Sequence, residues 1–224
     1  MLAQECPLDR NINDNGIIIY ISKKKGQAGG TGFGPIYQYN SFITAIFTAV
    51  NPRRRFCIDA TAGKGHDTLF LAQLVGETGH VVAMDIQPAA IAATEKLLRQ
   101  HGLQQRATLV LDGHEHMQAY AEAGTVDGIV FNLGYLPGGN HNIATKADTT
   151  IAALEQGLQL LKPLGVISLA IYHGGDTGFA ERDAVLQWLK QLDYKQYTVM
   201  VTDFYNRPHY PPLAVWIVKE RKER

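Results

Sequence analysis

Polar residues that could bind a ligand follow four apolar segments of the sequence. Asp59, Asp85 and Asp112 each close one segment, and Asn132 closes a fourth. Carboxylates accept hydrogen bonds from hydroxyl and amino groups, whereas a carboxamide can both donate and accept. Ligands of open α/β sheets bind in the crevice outside the carboxyl ends of the strands. The pattern therefore predicts a site for a small ligand that carries hydroxyl and amino groups.

Two glycines in the stretch Asp59–Thr68 (DATAGKGHDT) mark a turn between an apolar segment and a helix. Gly63 and Gly65 would let the backbone approach a ligand closely, because they have no Cβ. The dinucleotide fingerprint has a third glycine, and Thr68 stands at its position. This difference favours S-adenosylmethionine (AdoMet), which has no phosphates. A nicotinamide-dependent oxidoreductase stays an alternative, because it would share both glycines and Asp85.

Each acid has a predicted partner on AdoMet. Asp85 comes 20 residues after the second glycine, where it could accept hydrogen bonds from ribose hydroxyls. Asp59 could reach the amino group of the methionine part. Asp112 could bind the adenine amino group, with Gly113 allowing the ring to approach and His114 beside it. For each acid alone, a helix cap or a turn former is the alternative interpretation.

Residues suited to catalysis follow the fourth and fifth apolar segments. Asn132 precedes an aromatic and glycine-rich loop, 133–139, and is a candidate for orienting a nitrogen nucleophile, while Tyr135 could pack against the substrate. Tyr172 and His173 end the next segment. His173 could accept a proton from an ammonium substrate, since the ordinary pKa of histidine is about 6.5. It could equally cap the loop.

A metal site is not expected. His114, Glu115 and His116 are adjacent, but three consecutive residues rarely face one centre, and no distant Cys or His has the spacing of a metal site.

Strands and helices alternate along most of the chain, which predicts a doubly wound and mostly parallel sheet. The last two strands are joined by too few residues for a crossover helix, so they should pair antiparallel. This combination is typical of the class I AdoMet-dependent methyltransferases, with seven strands in one α/β sheet. The predicted strands begin at Phe56 and continue at 80–85, 107–111, 127–132, 165–172, 197–204 and 213–219, and the main helices are 69–74, 88–101, 148–161 and 180–192.

The bulk properties set further expectations. The 224 residues suit one large domain, predicted over 35–224 with a helix at 36–50, preceded by an extension or arm over 1–34. Lys plus Arg and Asp plus Glu both number 21, so no global basic field indicates a nucleic-acid partner. Only two cysteines, Cys6 and Cys57, occur, which favours the cytoplasm. No apolar run approaches the roughly 20 residues of a membrane span, and no secretory signal is apparent.

Several motifs resemble the YtqB-like family of rRNA-methylase-like proteins over residues 56–219. The most specific is the loop that begins NLGYLPGG. The resemblance implies an AdoMet-dependent tRNA methyltransferase that converts wobble 5-aminomethyl-2-thiouridine of the anticodon to its 5-methylaminomethyl form. It also implies a homodimer. The motifs that carry it are DATAGKGHDT (59–68), DIQ (85–87), DGHE (112–115), NLGYLPGG (132–139), TKADTT (145–150) and YHG (172–174).

The resemblance also implies further site residues. On the cofactor side these are Thr61, Gly63, Gly65, His66, Asp67, Thr68, Gln87, Asn132 and Leu133. On the substrate side they are Gly134, Tyr135, Pro137, Gly138, Tyr172 and Asn206. The late loop around Asn206 departs from the family pattern, although Asn206 itself and the proline pair at 211–212 are retained.

Other functions stay open at this point. The cofactor half is generic, so the acceptor could be another RNA, a small molecule or a protein. A non-catalytic RNA-binding module is a further alternative, which the neutral net charge disfavours.

Overall fold

The computed structural model describes residues 55–134, 144–172, 178–204, 206 and 211–221. All of them belong to one compact unit, Pro52–Arg224. The predicted arm over 1–34 and the helix over 36–50 lie outside the described residues, so the domain boundary between residues 34 and 35 stays a prediction. Tyr135, Pro137, Gly138 and His173 also lie outside them.

Seven strands and four α-helices alternate in the described part of the chain. Two short 3-10 helices, Gln104–Arg106 and His114–Ala119, precede and follow the third strand. The elements are β1 Phe56–Asp59, α1 His66–Leu74, β2 His80–Asp85, α2 Pro88–Gln100, β3 Ala107–Leu111, β4 Val126–Leu133, α3 Ala147–Leu160, β5 Leu161–Ile171, α4 Gly178–Leu189, β6 Tyr197–Thr202 and β7 Leu213–Lys219.

All seven strands form one sheet in the order β3-β2-β1-β4-β5-β7-β6. The first five strands of this order run parallel to one another. Strand β7 is antiparallel to both β5 and β6. The prediction of a mostly parallel seven-stranded sheet with an antiparallel C-terminal hairpin is therefore confirmed. The position of β7 between β5 and β6 is an additional finding.

The centre of the sheet is apolar on both faces. Ile58, Met84, Ile129 and Phe131 have no exposed surface, as expected for parallel strands that are covered on both faces. Helix α1 packs against α2, and α3 packs against α4. In β4 seven of eight residues are buried, and Asn132 is the exception. The one residue of this strand that is not buried thus lies near its carboxyl end.

The starts of two elements differ from the sequence prediction by three or more residues. Helix α1 begins at His66, directly after Gly65 at φ 82°, because the glycine turn leads into the helix without a spacer. Strand β5 begins four residues early, at Leu161, which pairs with Val126 before an irregularity in the register between β4 and β5. Among the described residues, no helix is long and apolar enough to cross a membrane.

Candidate active site

The carboxyl ends of β1 to β4 border a cavity of about 320 Å³. It lies at the edge where the sequence predicted a ligand site. Of the predicted residues, those that line it are Thr61, Gly63, Asp85, Gln87, Asp112, His114, Asn132 and Gly134. The structure therefore brings residues that follow four different strands to one cavity.

The glycine turn is packed tightly against α2. A Cβ added to Gly65, at φ 82°, would lie 2.8 Å from the Cα of Thr94, which is shorter than real contacts allow. The Thr94 hydroxyl also donates a hydrogen bond to the carbonyl of Gly63 at 3.3 Å. Only glycine fits at position 65, because both its backbone angle and the space beside it exclude a side chain.

Asp85 connects the glycine turn to the end of β2. One of its oxygens accepts the N–H of Gly63 at 3.0 Å, and the other accepts the N–H of Gln87 at 2.9 Å. A carboxylate has about four acceptor positions, so two remain for a ligand. Asp85 can thus shape the turn and bind hydroxyl donors in the cavity.

Asp59 supports the site from behind and does not line the cavity. It is fully buried and accepts hydrogen bonds from the Thr68 hydroxyl at 2.6 Å and the Thr61 N–H at 3.2 Å. Burial, and then the nearby carboxylate of Asp67, raise the pKa of Asp59 to about 7. Thr68 stands where a dinucleotide site has its third glycine. Its hydroxyl instead stabilises the buried carboxyl group of Asp59.

Asn132 is oriented by two hydrogen bonds. Its side-chain nitrogen donates to the carboxylate of Asp67 at 2.6 Å, and its backbone N–H donates to the Thr61 hydroxyl at 2.7 Å. Burial raises the pKa of Asp67, and the hydrogen bond from Asn132 opposes this shift. Because the amide nitrogen faces Asp67, the carbonyl oxygen is the remaining acceptor of this side chain. No hydrogen bond to it occurs within the described ranges.

Asp112 follows β3 and is held by three donors. One oxygen accepts from the Gly113 N–H and from His116, both at 2.8 Å, and the other accepts from the Tyr120 hydroxyl at 2.8 Å. The hydrogen bonds from His116, Tyr120 and Gly113 lower the pKa of Asp112. The ionised form of the carboxylate is therefore favoured, and about one acceptor position is left for a ligand.

His114 lies in the cavity wall against Phe131. Their rings meet edge to face with centroids 5.8 Å apart. Burial lowers the pKa of His114, which favours the neutral ring. Its Nε2 is buried and has no hydrogen-bond partner in the part of the chain that the structure describes. Buried polar atoms normally have a partner, so a ligand in the cavity could supply one.

The opposite wall of the cavity begins after β4. Gly134, at φ 142°, accepts the N–H of Thr145 at 2.9 Å and donates its own N–H to the Thr145 hydroxyl at 2.8 Å. Tyr172 is half-buried beside it and donates its N–H to the Leu133 carbonyl at 3.2 Å. Burial, followed by the charge of Asp67, raises the pKa of Tyr172.

Sequence reasoning missed several residues of the cavity wall. They are Ile86, Glu115, Ala144, Thr145, Lys146 and Thr149. The TKADTT motif at 145–150 offered a signal, since it resembles a family motif directly before a predicted helix. The separation of this motif from the cofactor motifs along the chain does not reveal that they lie close together in the folded structure.

Other predicted residues lie outside the cavity wall. Five of them contact residues of the wall, directly or through one intervening residue, as described above: Gly65, Asp67, Thr68, Gly113 and Tyr172. The side chain of Leu133 is buried in the hydrophobic core, and His66 and Asn206 are exposed. In the described ranges, no group of three or more His, Cys, Asp or Glu residues could hold a metal ion.

The strand order, the glycine turn after β1 and the acids after β2 and β3 define the fold of a class I AdoMet-dependent methyltransferase. Residues 81–218 match the model of the family described as "Putative rRNA methylase". The chain belongs to this family, and the resemblance predicted from the motifs is confirmed.

Three relatives place the chain within the family. It is 38% identical over 172 residues to the chloroplastic tRNA (mnm5s2U34)-methyltransferase of Arabidopsis thaliana, a match that spans 73% of this chain and 63% of the relative. The chain thus spans less than two thirds of that relative's length. A "putative rRNA-methylase" from Clostridium thermocellum is 43% identical with a TM-score of 0.76, covering 84% of this chain and 99% of that structure. A "putative methyltransferase" from Streptococcus mutans, solved in complex with SAH, is 33% identical with a TM-score of 0.72, covering 83% and 98%.

Proposed function

We propose that the protein is an AdoMet-dependent tRNA methyltransferase that methylates the amino nitrogen of 5-aminomethyl-2-thiouridine at the wobble position of the anticodon. The name of the Arabidopsis relative supports this substrate. The observation that carries the proposal is the setting of Asn132, a polar residue at the end of an otherwise buried strand. It lines the cavity while Asp67 holds its amide nitrogen.

The residues of the cavity wall fit AdoMet in size and chemistry. Ligand cavities commonly measure about 300–1,000 Å³, and this one measures about 320 Å³. Asp85 has acceptor positions left for two ribose hydroxyls, and His114 has a buried nitrogen without a partner among the described residues. We assign Asp85 to the ribose, His114 and Asp112 to the adenine end, and the glycine turn to the methionine part.

Asn132 is proposed to orient the acceptor amine. Bound AdoMet supplies a methyl group that the positive charge on sulfur has already activated. The remaining requirement is a neutral amine in the correct orientation, which makes positioning the main task of the protein. The carbonyl oxygen of Asn132 would accept one N–H of the amine, because its own nitrogen is engaged by Asp67.

The other predicted roles remain part of the proposal. His173 would accept a proton from the ammonium form of the substrate, and Tyr135 would pack against the base, but both lie outside the described residues. Further residues proposed for the cofactor side of the site are Asp59, Thr61, Gly65, His66, Asp67, Thr68, Gln87, Gly113 and Leu133. The buried members Asp59, Thr68 and Leu133 would act through the residues that they contact. Further proposed contacts with the substrate are Gly134, Pro137, Gly138, Tyr172 and Asn206.

A nucleoside assay tests the function. The purified protein is incubated with AdoMet and tRNA that carries 5-aminomethyl-2-thiouridine, and the digested nucleosides are analysed by mass spectrometry. We expect 5-methylaminomethyl-2-thiouridine to appear only when both protein and AdoMet are present. Ribosomal RNA serves as the comparison substrate. Methylation of ribosomal RNA with none of the tRNA would contradict the proposed acceptor.

The proposal extends to assembly and location. We propose a homodimer, as the family resemblance implies, which light scattering coupled to size-exclusion chromatography would test. We also propose a cytoplasmic location. The buried and free thiol of Cys57 suits a reducing compartment, and fractionation of cells that produce a tagged chain would test it.

A further inference from the structure

Glu181 in α4 is a buried acid that lies outside the set of residues assigned above. Its exposed fraction is 5%, and no salt bridge among the described residues includes it. One carboxylate oxygen accepts the Thr145 hydroxyl and the other accepts the Thr150 hydroxyl, both at 2.7 Å. Burying a carboxylate without a cation is unfavourable unless hydrogen bonds compensate. The two hydroxyls provide that compensation.

The carboxylate determines the direction of the hydrogen bonds around Thr145. A hydroxyl has one hydrogen, and the hydrogen of Thr145 is directed to Glu181. The oxygen of Thr145 is therefore left to accept, and it receives the N–H of Gly134 at 2.8 Å. Because the Gly134 N–H can only donate, the Thr145 hydroxyl must accept from it. The hydroxyl therefore needs another group, Glu181, to accept its own hydrogen.

The resulting pair of Gly134 and Thr145 belongs to the cavity wall. The second hydrogen bond of the pair runs from the Thr145 N–H to the Gly134 carbonyl at 2.9 Å, and both residues line the cavity. Gly134 follows Asn132 by two residues, and a Cβ on it would lie 3.4 Å from the Cβ of Tyr172. A shift of this pair would therefore move the wall beside the proposed position of the acceptor amine.

We propose that Glu181 is a positioning residue for the acceptor side of the site. Its carboxylate acts through Thr145 to hold Gly134 beside Asn132, and it also anchors the first turn of α3 through Thr150. The residues assigned to AdoMet follow β1, β2 and β3, whereas the hydrogen bonds of Glu181 among the described residues go to Thr145 and Thr150. This inference rests on the proposed methyl transfer, and it predicts that Glu181 affects use of the acceptor while AdoMet binding is preserved.

The substitution Glu181→Gln tests the requirement for two acceptors. Its side chain keeps the size of the original, but its amide nitrogen can only donate, so one threonine hydroxyl loses its acceptor. We expect kcat/KM for the tRNA acceptor to fall about 10-fold, while the dissociation constant of AdoMet changes by less than about 3-fold. Asp183→Asn is the matched control, because Asp183 lies in the same helix, is 65% exposed in its side chain and pairs only with Arg182 among the described residues. It should change neither quantity.

Hydrogen exchange provides a readout that needs no substrate. The amides of Gly134 and Thr145 should exchange faster in Glu181→Gln than the change in melting temperature alone explains, because both are hydrogen-bonded in the pair. Thr145→Val should have the same effect, and Thr145→Ser should keep the protection, since it keeps the hydroxyl. These two variants decide the matter if Glu181→Gln fails to fold.

The outcomes separate this inference from the proposed function. If the wild-type protein does not methylate tRNA, the proposed function fails. The inference then also fails for that acceptor, even if hydrogen exchange at Gly134 and Thr145 is faster in the variants. If the wild-type protein is active, unchanged amide exchange in Glu181→Gln and Thr145→Val overturns the positioning role. Faster exchange with unchanged kcat/KM overturns it as well, since the pair would then have no effect on the acceptor.

Discussion

Asn132 differs from its neighbours in β4 because it is the one residue of that strand that is not buried. Its amide nitrogen is held by Asp67 at 2.6 Å and its backbone by Thr61 at 2.7 Å. The first contact fixes the side chain and the second fixes the backbone before any ligand arrives. Preorganised contacts of this kind are effective for orientation, because little reorganisation is left for the reaction itself.

The first prediction concerns Asn132→Ala. We expect methyl transfer to tRNA to fall by at least about 100-fold, since the group that orients the amine is lost. The dissociation constant of AdoMet should change by less than about 3-fold, because Asp85 and the glycine turn are untouched. Single-turnover nucleoside analysis and calorimetry measure the two quantities. Gln105→Ala, at an exposed side chain that contacts only the Gly102 carbonyl within the described ranges, is the control. Normal turnover in Asn132→Ala would refute the role.

The second prediction concerns Asp59 and pH. An unfolded Asp59 ionises near its ordinary value of 3.8, whereas the folded one ionises near 7. Between these values the folded state keeps a proton that the unfolded state has released. The stabilisation is therefore complete below pH 3.8 and is lost as the pH rises towards 7. From pH 4.5 to 7.5, wild-type protein should lose on the order of 3 kcal/mol of unfolding free energy relative to Asp59→Asn.

Urea unfolding at a series of pH values measures this difference. Asp183→Asn, which removes an exposed carboxylate, should give a curve parallel to that of the wild type. A parallel curve for Asp59→Asn would contradict the raised pKa.

At the residue scale, the sequence predicted one side of the cavity better than the other. Asp85 and Asn132 were identified because each ends an apolar segment, a pattern that is visible locally. Thr145 and Glu181 were missed, because their importance comes from a hydrogen bond between residues 36 positions apart. A threonine before a helix and an acid within one are common on protein surfaces, and only the folded arrangement reveals that these two meet.

Helix α1 is bounded by two glycines with similar backbone angles but different surroundings. Gly65 before it has φ 82°, and a Cβ there would lie 2.8 Å from the Thr94 Cα. Gly76 after it has φ 72°, and a Cβ there would meet no atom within 4 Å. The two positions separate backbone strain from steric overlap.

The third prediction compares substitutions at Gly65 and Gly76. Gly76→Ala should lower the unfolding free energy by about 1 kcal/mol, the cost of a left-handed backbone with a side chain. Gly65→Ala should lower it by about 3 kcal/mol, because the overlap with α2 adds to that strain. Gly65→Ala should also weaken AdoMet binding, since the glycine turn would have to move. Chemical denaturation and calorimetry measure these effects. Equal losses of stability in the two variants would show that the contact with Thr94 is unimportant.

At the element scale, the predictions succeeded where the periodicity of one segment was sufficient. The bounds of β2, β3 and β7 match those read from the sequence, because each is a short apolar run with clear ends. The early start of β5 was missed, because Lys162, Pro163 and Gly165 interrupt the apolar pattern there. Pairing with Val126 nevertheless includes Leu161 in the strand. The insertion of β7 between β5 and β6 also depends on pairing that local sequence does not specify.

The fourth prediction concerns the whole molecule. A ligand that binds only the folded state at 100 times its dissociation constant stabilises a protein by about 2.7 kcal/mol. For a chain of this size that corresponds to a rise of about 5–10 °C in melting temperature. We expect AdoMet to produce this shift and NADH, at the same concentration, to produce none. A shift with NADH alone would favour the oxidoreductase that shares the two glycines and Asp85.

The place of β7 in the sheet has a consequence for synthesis on the ribosome. Among the described strands, β6 pairs only with β7, and β7 also covers the edge of β5. Residues 197–202 are translated before residues 213–219, so β6 emerges without a strand to pair with. Until β7 follows, the nascent chain presents an open edge at β5, and open edges invite pairing with other chains. We expect the interval between these two strands to be the stage at which newly made chains are most prone to aggregate.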